Sequence, residues 1–201
     1  MKAQLLLAVI SILIIHISCN EDKHSNYINE DEIYNDLDTT KVSPSFFPVT
    51  VFLLSKIKEV SDCYPKIKYT NTENGHTDSV VMDANKMSLL LNEFLLPPID
   101  SAAHAPFFSE SKFNDETMGW VTLSYEPKGT IPDSIPWRRW DVHIDSETGE
   151  VKRIYMVKES ASATTVQLTW LPASGCKMTY IDHSQPDHPF VKAEMNFRWV
   201  Y

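Results

Sequence analysis

Val142-His143-Ile144-Asp145-Ser146-Glu147-Thr148-Gly149-Glu150-Val151 is the stretch whose reading decides the fold. Val142 and Ile144 alternate with His143 and Asp145, a period of two that puts apolar side chains on one face and polar ones on the other. Asp145 can cap the amides that follow it, and Gly149 supplies a positive φ, so the segment reads as a hairpin. One dry face and one wet face mark an antiparallel sheet, because the crossovers of a parallel sheet cover both sides.

The same alternation recurs downstream. Val121, Leu123 and Tyr125 alternate with Thr122, Ser124 and Glu126. Trp140, Val142 and Ile144 alternate with Asp141, His143 and Asp145. Val166, Leu168 and Trp170 alternate with Thr165, Gln167 and Thr169, and Phe197, Trp199 and Tyr201 with Asn196, Arg198 and Val200. With Val151–Lys158 and Cys176–Ile181, these give six strands with short connections.

Upstream the period changes. Phe46, Phe47, Thr50, Val51, Leu54, Ile57 and Lys58 recur near helical spacing, which predicts a helix over 45–61 opened by Ser43-Pro44. Lys66–Thr72 and Thr77–Met82 flank Asn74-Gly75, a hairpin signal. Asp83 then caps a second helix bearing Met87, Leu90, Leu91, Phe94 and Leu95, stopped by Pro97-Pro98. The expected fold is α+β: two N-terminal helices and a small hairpin packed on a six-stranded antiparallel β-meander.

The first residues carry an address. Met1-Lys2 precedes an apolar run from Leu5 to Ile17, which is shorter than the roughly twenty residues a membrane-spanning helix needs. It ends in Ser18-Cys19, and the chain then turns polar at Asn20-Glu21-Asp22-Lys23. A basic start, an apolar centre and a small residue before the cut describe an export signal. The arrangement resembles a bacterial lipoprotein signal, although His16 stands where the lipoprotein box usually carries an aliphatic residue. The resemblance implies that residues 1–18 are a signal peptide and that Cys19 is acylated. Residues 19–42 read as an acidic, flexible tether and 43–201 as a single domain. The acidic residues after Cys19 resemble an outer-membrane sorting signal, though any exposed tether is polar for its own reasons. The expected location is the cell envelope, with the outer membrane the leading choice.

The order of signal, acidic tether, Phe-Phe helix, hairpin, Leu-rich helix and aromatic-rich meander resembles an uncharacterised Gram-negative outer-membrane lipoprotein family. The 142–151 hairpin is similar to those of PepSY-like modules, which bears on local structure alone. Neither resemblance implies active-site residues.

Charge excludes one class of partner. With 27 acidic against 18 basic side chains the chain carries −9 and no basic stripe, so it repels nucleic acid. Five glycines and no glycine-rich loop leave no phosphate cradle. With Cys19 taken by lipid, Cys63 and Cys176 could form a disulfide in an oxidising compartment or stand apart as thiols.

Several constellations could carry chemistry. Asp141, His143 and Asp145 share one strand face and could hold a metal or move protons, although the wet side of a strand is ordinarily charged. Asp182-His183 and Asp187-His188 could chelate a metal through His183 and His188, although turns are rich in such residues for conformational reasons. Trp137-Arg138-Arg139-Trp140, placed in a loop entering a strand, is the best interaction surface, because Trp and Arg concentrate at binding sites. Its bland alternative is a pair of core tryptophans. No catalytic residue and no cofactor is identified. The expected function is therefore a membrane-tethered envelope lipoprotein acting as a non-enzymatic module that binds a partner or ligand, an envelope protein or an apolar ligand among them. An envelope hydrolase or metal-dependent enzyme, and a carrier of an apolar ligand, are the alternatives.

Overall fold

The computed structural model describes residues 46–99, 101–160, 163–185 and 187–200. Cys19, the signal and the tether lie outside the described residues.

The first described element, α1 (Val49–Cys63), follows Pro48 without a side-chain cap. It buries Val49, Thr50, Leu53, Leu54, Ile57 and Val60, which lie on one stripe at three- and four-residue spacing. Each aliphatic side chain so buried contributes roughly 1.5–3 kcal/mol. The helix stops because Tyr64 precedes Pro65 and is pushed to extended backbone (φ −119°, ψ 99°). Two strands follow, β1 (Lys66–Glu73) and β2 (His76–Asp83), joined at Asn74-Gly75, where both residues take positive φ.

Next come three short helices, α2 (Ala84–Leu90), α3 (Asn92–Leu95) and α4 (Ser101–His104). Seven strands then run in succession: β3 (Phe108–Asp115), β4 (Trp120–Pro127), β5 (Trp137–Asp145), β6 (Val151–Ser160), β7 (Thr164–Leu171), β8 (Gly175–Asp182) and β9 (Phe190–Val200). All nine strands form one antiparallel sheet in the order β2-β1-β9-β8-β7-β6-β5-β4-β3.

This corrects the expected architecture in three respects. The hairpin is part of the sheet: β1 pairs with β9 along its whole length, Lys66 opposite Val200 through Glu73 opposite Ala193. It therefore extends the sheet and does not pack upon it. The meander has seven strands, because β3 pairs with β4 although its own sequence barely alternates and only Phe108 is buried. Among the described residues the helical layer is one long helix and three short ones. The expected second helix breaks at Leu91 (φ −85°, ψ 2°), and Leu89 and Leu90 face solvent.

The apolar face of the sheet meets the helices. Four of the five tryptophans lie there: Trp137, Trp140 and Trp170 are fully buried and Trp199 nearly so. Trp137 and Trp140 are three apart, an odd spacing that ordinarily puts side chains on opposite faces. A β-bulge between Trp137 and Arg139 absorbs the extra residue and turns both indoles inward. Trp140 stacks on Tyr125 with centroids 5.0 Å apart and planes 13° apart, and it meets Phe108 at 4.7 Å. Where β8 begins, a Cβ on Gly175 would lie 2.0 Å from the Phe197 carbonyl oxygen, so only glycine admits that approach of β9.

One cation ties the layers together. Lys158, on the apolar face of β6, is buried. Its Nζ donates to the carbonyl oxygens of Glu93 and Leu96, 2.9 Å each, and lies 2.6 Å from Glu93 Oε2. It thereby serves carbonyls at the end of α3 that the helix itself leaves without donors. Replacing Lys158 with Met keeps the volume and removes that donor. Lys158→Met is expected to lower unfolding stability by about 2 kcal/mol in urea titration, because buried acceptors lose their partner.

Candidate functional site

The wet face of the sheet has no covering layer among the described residues. Its side chains come from alternate positions: Trp120, Thr122, Ser124 and Glu126 of β4, Arg139, Asp141 and His143 of β5, Arg153, Tyr155 and Val157 of β6. Register sets the neighbours, with Thr122 opposite His143, His143 opposite Arg153, and Asp141 opposite Tyr155.

Two of the three residues expected to act together on this face are already committed. Asp141 is buried and accepts from Arg139 Nε at 2.9 and 3.1 Å, while Arg139 Nη1 reaches Glu126 at 3.0 Å. Asp145 Oδ1 accepts the amides of Glu147 (3.0 Å) and Thr148 (2.9 Å) and closes the turn. The Thr148 amide above all holds its carboxyl below the usual carboxylate range.

His143 remains. Its Nδ1 lies 3.0 Å from Thr122 Oγ1, and its ring meets the Trp120 ring at 5.7 Å. Burial lowers its pKa below the ordinary histidine value, and the neighbouring Arg153 charge lowers it further.

Arg153 is the unusual member. Its guanidinium lies over the Tyr155 ring, 5.4 Å from the centroid, and its Nε is buried without a hydrogen-bond partner. Among the described residues no hydrogen bond and no ion pair engages Arg153. Nor does any engage the Tyr155 hydroxyl, whose pKa burial raises. The corner of the sheet formed by Trp120, His143, Arg153 and Tyr155 thus offers N–H and O–H groups, while the carboxylates around it are spent. Such a site suits an anion.

The other sequence candidates lie elsewhere. His183 Nε2 bonds Thr165 Oγ1 at 2.9 Å, and Asp182 accepts the Ser184 amide at 2.7 Å. His188 is exposed in the same β8–β9 connection. That connection and the β5–β6 turn close opposite ends of the sheet, so His143 and the 182–188 loop do not converge. Among the described residues no group of three His, Cys, Asp or Glu could hold a metal ion.

Trp137-Arg138-Arg139-Trp140 is strand and not loop: both indoles are in the core, and Arg138 pairs with Glu159 at 2.8 Å. Cys63 and Cys176 are both free thiols, Cys63 exposed at the end of α1 and Cys176 buried in β8, where burial pushes its pKa well up.

A cleft of about 510 Å³ opens at the end of the sheet that holds the β8–β9 connection, lined by Lys158, Glu93, Tyr180, Val166 and Met195. Lys158 and Glu93 neutralise each other there, and burial pushes the Tyr180 hydroxyl up to about 12. No helix of the described residues is long and apolar enough to cross a membrane. No family model matches the chain, and neither a curated protein nor a solved structure matches it.

Sequence reasoning singled out His143 and missed its partners. The signal was present: Trp120 falls on the wet parity of a strand whose dry parity is Val121, Leu123 and Tyr125. Arg153 and Tyr155 hold the wet parity of β6, but a register shift between His143 and Ile144, which the sequence does not announce, decides which of them faces His143.

The lowered pKa of His143 has a sign. The unfolded imidazole takes a proton near pH 6.5 and the folded one only at lower pH, so folding stability falls as pH drops below about 6.5. His143→Gln removes that contribution. Its melting temperature is expected to fall less between pH 7.5 and pH 5.5 than that of the unaltered protein, measured by calorimetry in matched buffers.

Proposed function

We propose that this chain is a membrane-tethered binding module of the cell envelope, held by an acylated Cys19 and presenting the open face of its sheet to a ligand. The observation that carries this reading is Arg153. Leaving a buried hydrogen-bonding group without a partner costs about 1–3 kcal/mol. A fold that retains such a group beside Trp120, His143 and Tyr155 departs from local optimisation in the way binding sites do.

Several features support binding over catalysis. Asp141, the carboxylate best placed to orient His143 as a base, is held by Arg139. Cys176 sits in the core with its thiol pKa raised, the reverse of an activated nucleophile. The anchor is supported by the sequence alone. Each acyl methylene buried in a bilayer contributes about 0.8 kcal/mol, so more than one chain gives stable attachment.

Fractionation separates the two halves of the proposal. Cys19→Ala is expected to move the protein from the membrane to the soluble fraction. The soluble Cys19→Ala protein is then expected to sediment with isolated cell envelopes of the source organism, with Arg153→Gln lowering the bound fraction at least fivefold. Membrane association unchanged by Cys19→Ala overturns the anchor, and sedimentation indifferent to Arg153 overturns the binding face.

A further inference from the structure

We infer that the ligand of this face is a saccharide bearing a single carboxylate, seated with the carboxylate on Arg153 and a sugar ring against Trp120. The inference rests on the binding face proposed above and adds its ligand class.

Three features of the corner select that class. The first is charge. A planar guanidinium presents paired N–H groups that match the two oxygens of a carboxylate, and Arg153 has spent none on the described residues. Its surroundings are balanced: Arg139 is matched by Asp141 and Glu126, Lys152 by Asp145 and Glu150, Lys177 by Glu194. Among these neighbours Arg153 is the cation that no carboxylate of the described residues matches, and on a chain of net charge −9 that suits one anionic group and not a polyanion.

The second feature is the aromatic wall. Trp120 is the one tryptophan of the five outside the core cluster, and it stands half-buried on the open face beside His143. The C–H face of a pyranose carries partial positive charge and settles on the electron-rich face of an indole. A ligand with nothing but a carboxylate would gain nothing from that ring.

The third is shape and remaining valence. Thr122, His143 and Arg153 occupy three adjacent strands, a span of two strand spacings or roughly 10 Å on a flat face. That width accepts one or two sugar rings lying flat. The Tyr155 hydroxyl, His143 Nε2 and the Trp120 indole N–H remain to meet ring hydroxyls.

The test uses a matched pair of disaccharides, cellobiouronic acid and cellobiose, which differ by the carboxylate, together with glutarate, which has carboxylates and no ring. Each is titrated into the soluble Cys19→Ala protein and followed by the indole N–H resonances of the five tryptophans. Cellobiouronic acid is expected to shift the Trp120 resonance and leave those of Trp137, Trp140, Trp170 and Trp199 in place. Its affinity is expected to exceed that of either control at least tenfold and to drop at least tenfold in Arg153→Gln. Arg153→Lys, which keeps the charge and loses the planar fork, is expected to fall between, with the core resonances reporting that both variants fold.

Equal affinity for cellobiose overturns the carboxylate, equal affinity for glutarate overturns the sugar ring, and a silent Trp120 resonance overturns the site. Arg153-dependent sedimentation with envelopes, found together with no saccharide binding, overturns the ligand class and leaves the binding face standing. Loss of both results removes the face itself.

Discussion

Burial of four indoles against one layer of helices is the constraint on which the rest of this molecule depends. Trp137, Trp140, Trp170 and Trp199 sit on a single face of the sheet, and each brings a large apolar area to the core. Two of their N–H groups find backbone carbonyls, Trp137 at Pro97 and Trp199 at Pro172, both at 3.0 Å. The other two, on Trp140 and Trp170, have no partner among the described residues, so packing outweighs the cost of leaving them dry. The β5 bulge exists to serve this arrangement, since without it Trp137 would face water.

A sheet with one dry face necessarily has one wet face, and the wet face is where this chain has chemistry left over. Most of its charges are paired across strands, as Lys177 is with Glu194 and Arg139 with Glu126. Arg153 has no such pair among the described residues, and it lies near the one tryptophan left out of the core. A second register shift, between His143 and Ile144, passes over Lys152 of β6 and leaves His143 opposite Arg153. The core and the proposed binding face therefore share one strand pair: β5 and β6 send Trp140, Ile154, Met156 and Lys158 inward and His143, Arg153 and Tyr155 outward.

Much of the sheet was legible because alternation is a local signal. Trp140, Val142 and Ile144 fall on the dry parity and Asp141, His143 and Asp145 on the wet one without reference to any partner strand. β3 was not legible, because Phe108 is its one buried residue and its place is set by hydrogen bonds to β4. β2 shows why the hairpin was misplaced. Nearly all of its residues are exposed, so nothing in its sequence says that β1 lies on β9. The second helix was overread because Leu90 matches the helical stripe yet faces solvent once the chain turns at Leu91.

The sequence by itself determined the parity of each alternating strand and the turn at Asp145–Gly149, since each depends on neighbours along the chain, and the net acidic charge, which depends on composition alone. Tertiary structure alone decided three things. It joined the N-terminal hairpin to the last strand, a contact between residues more than a hundred positions apart. It drew Trp137 and Trp140 inward together, which took a bulge that no spacing announces. It left Arg153 without an ion pair among the described residues, because whether a charge is spent depends on which side chains the register places beside it.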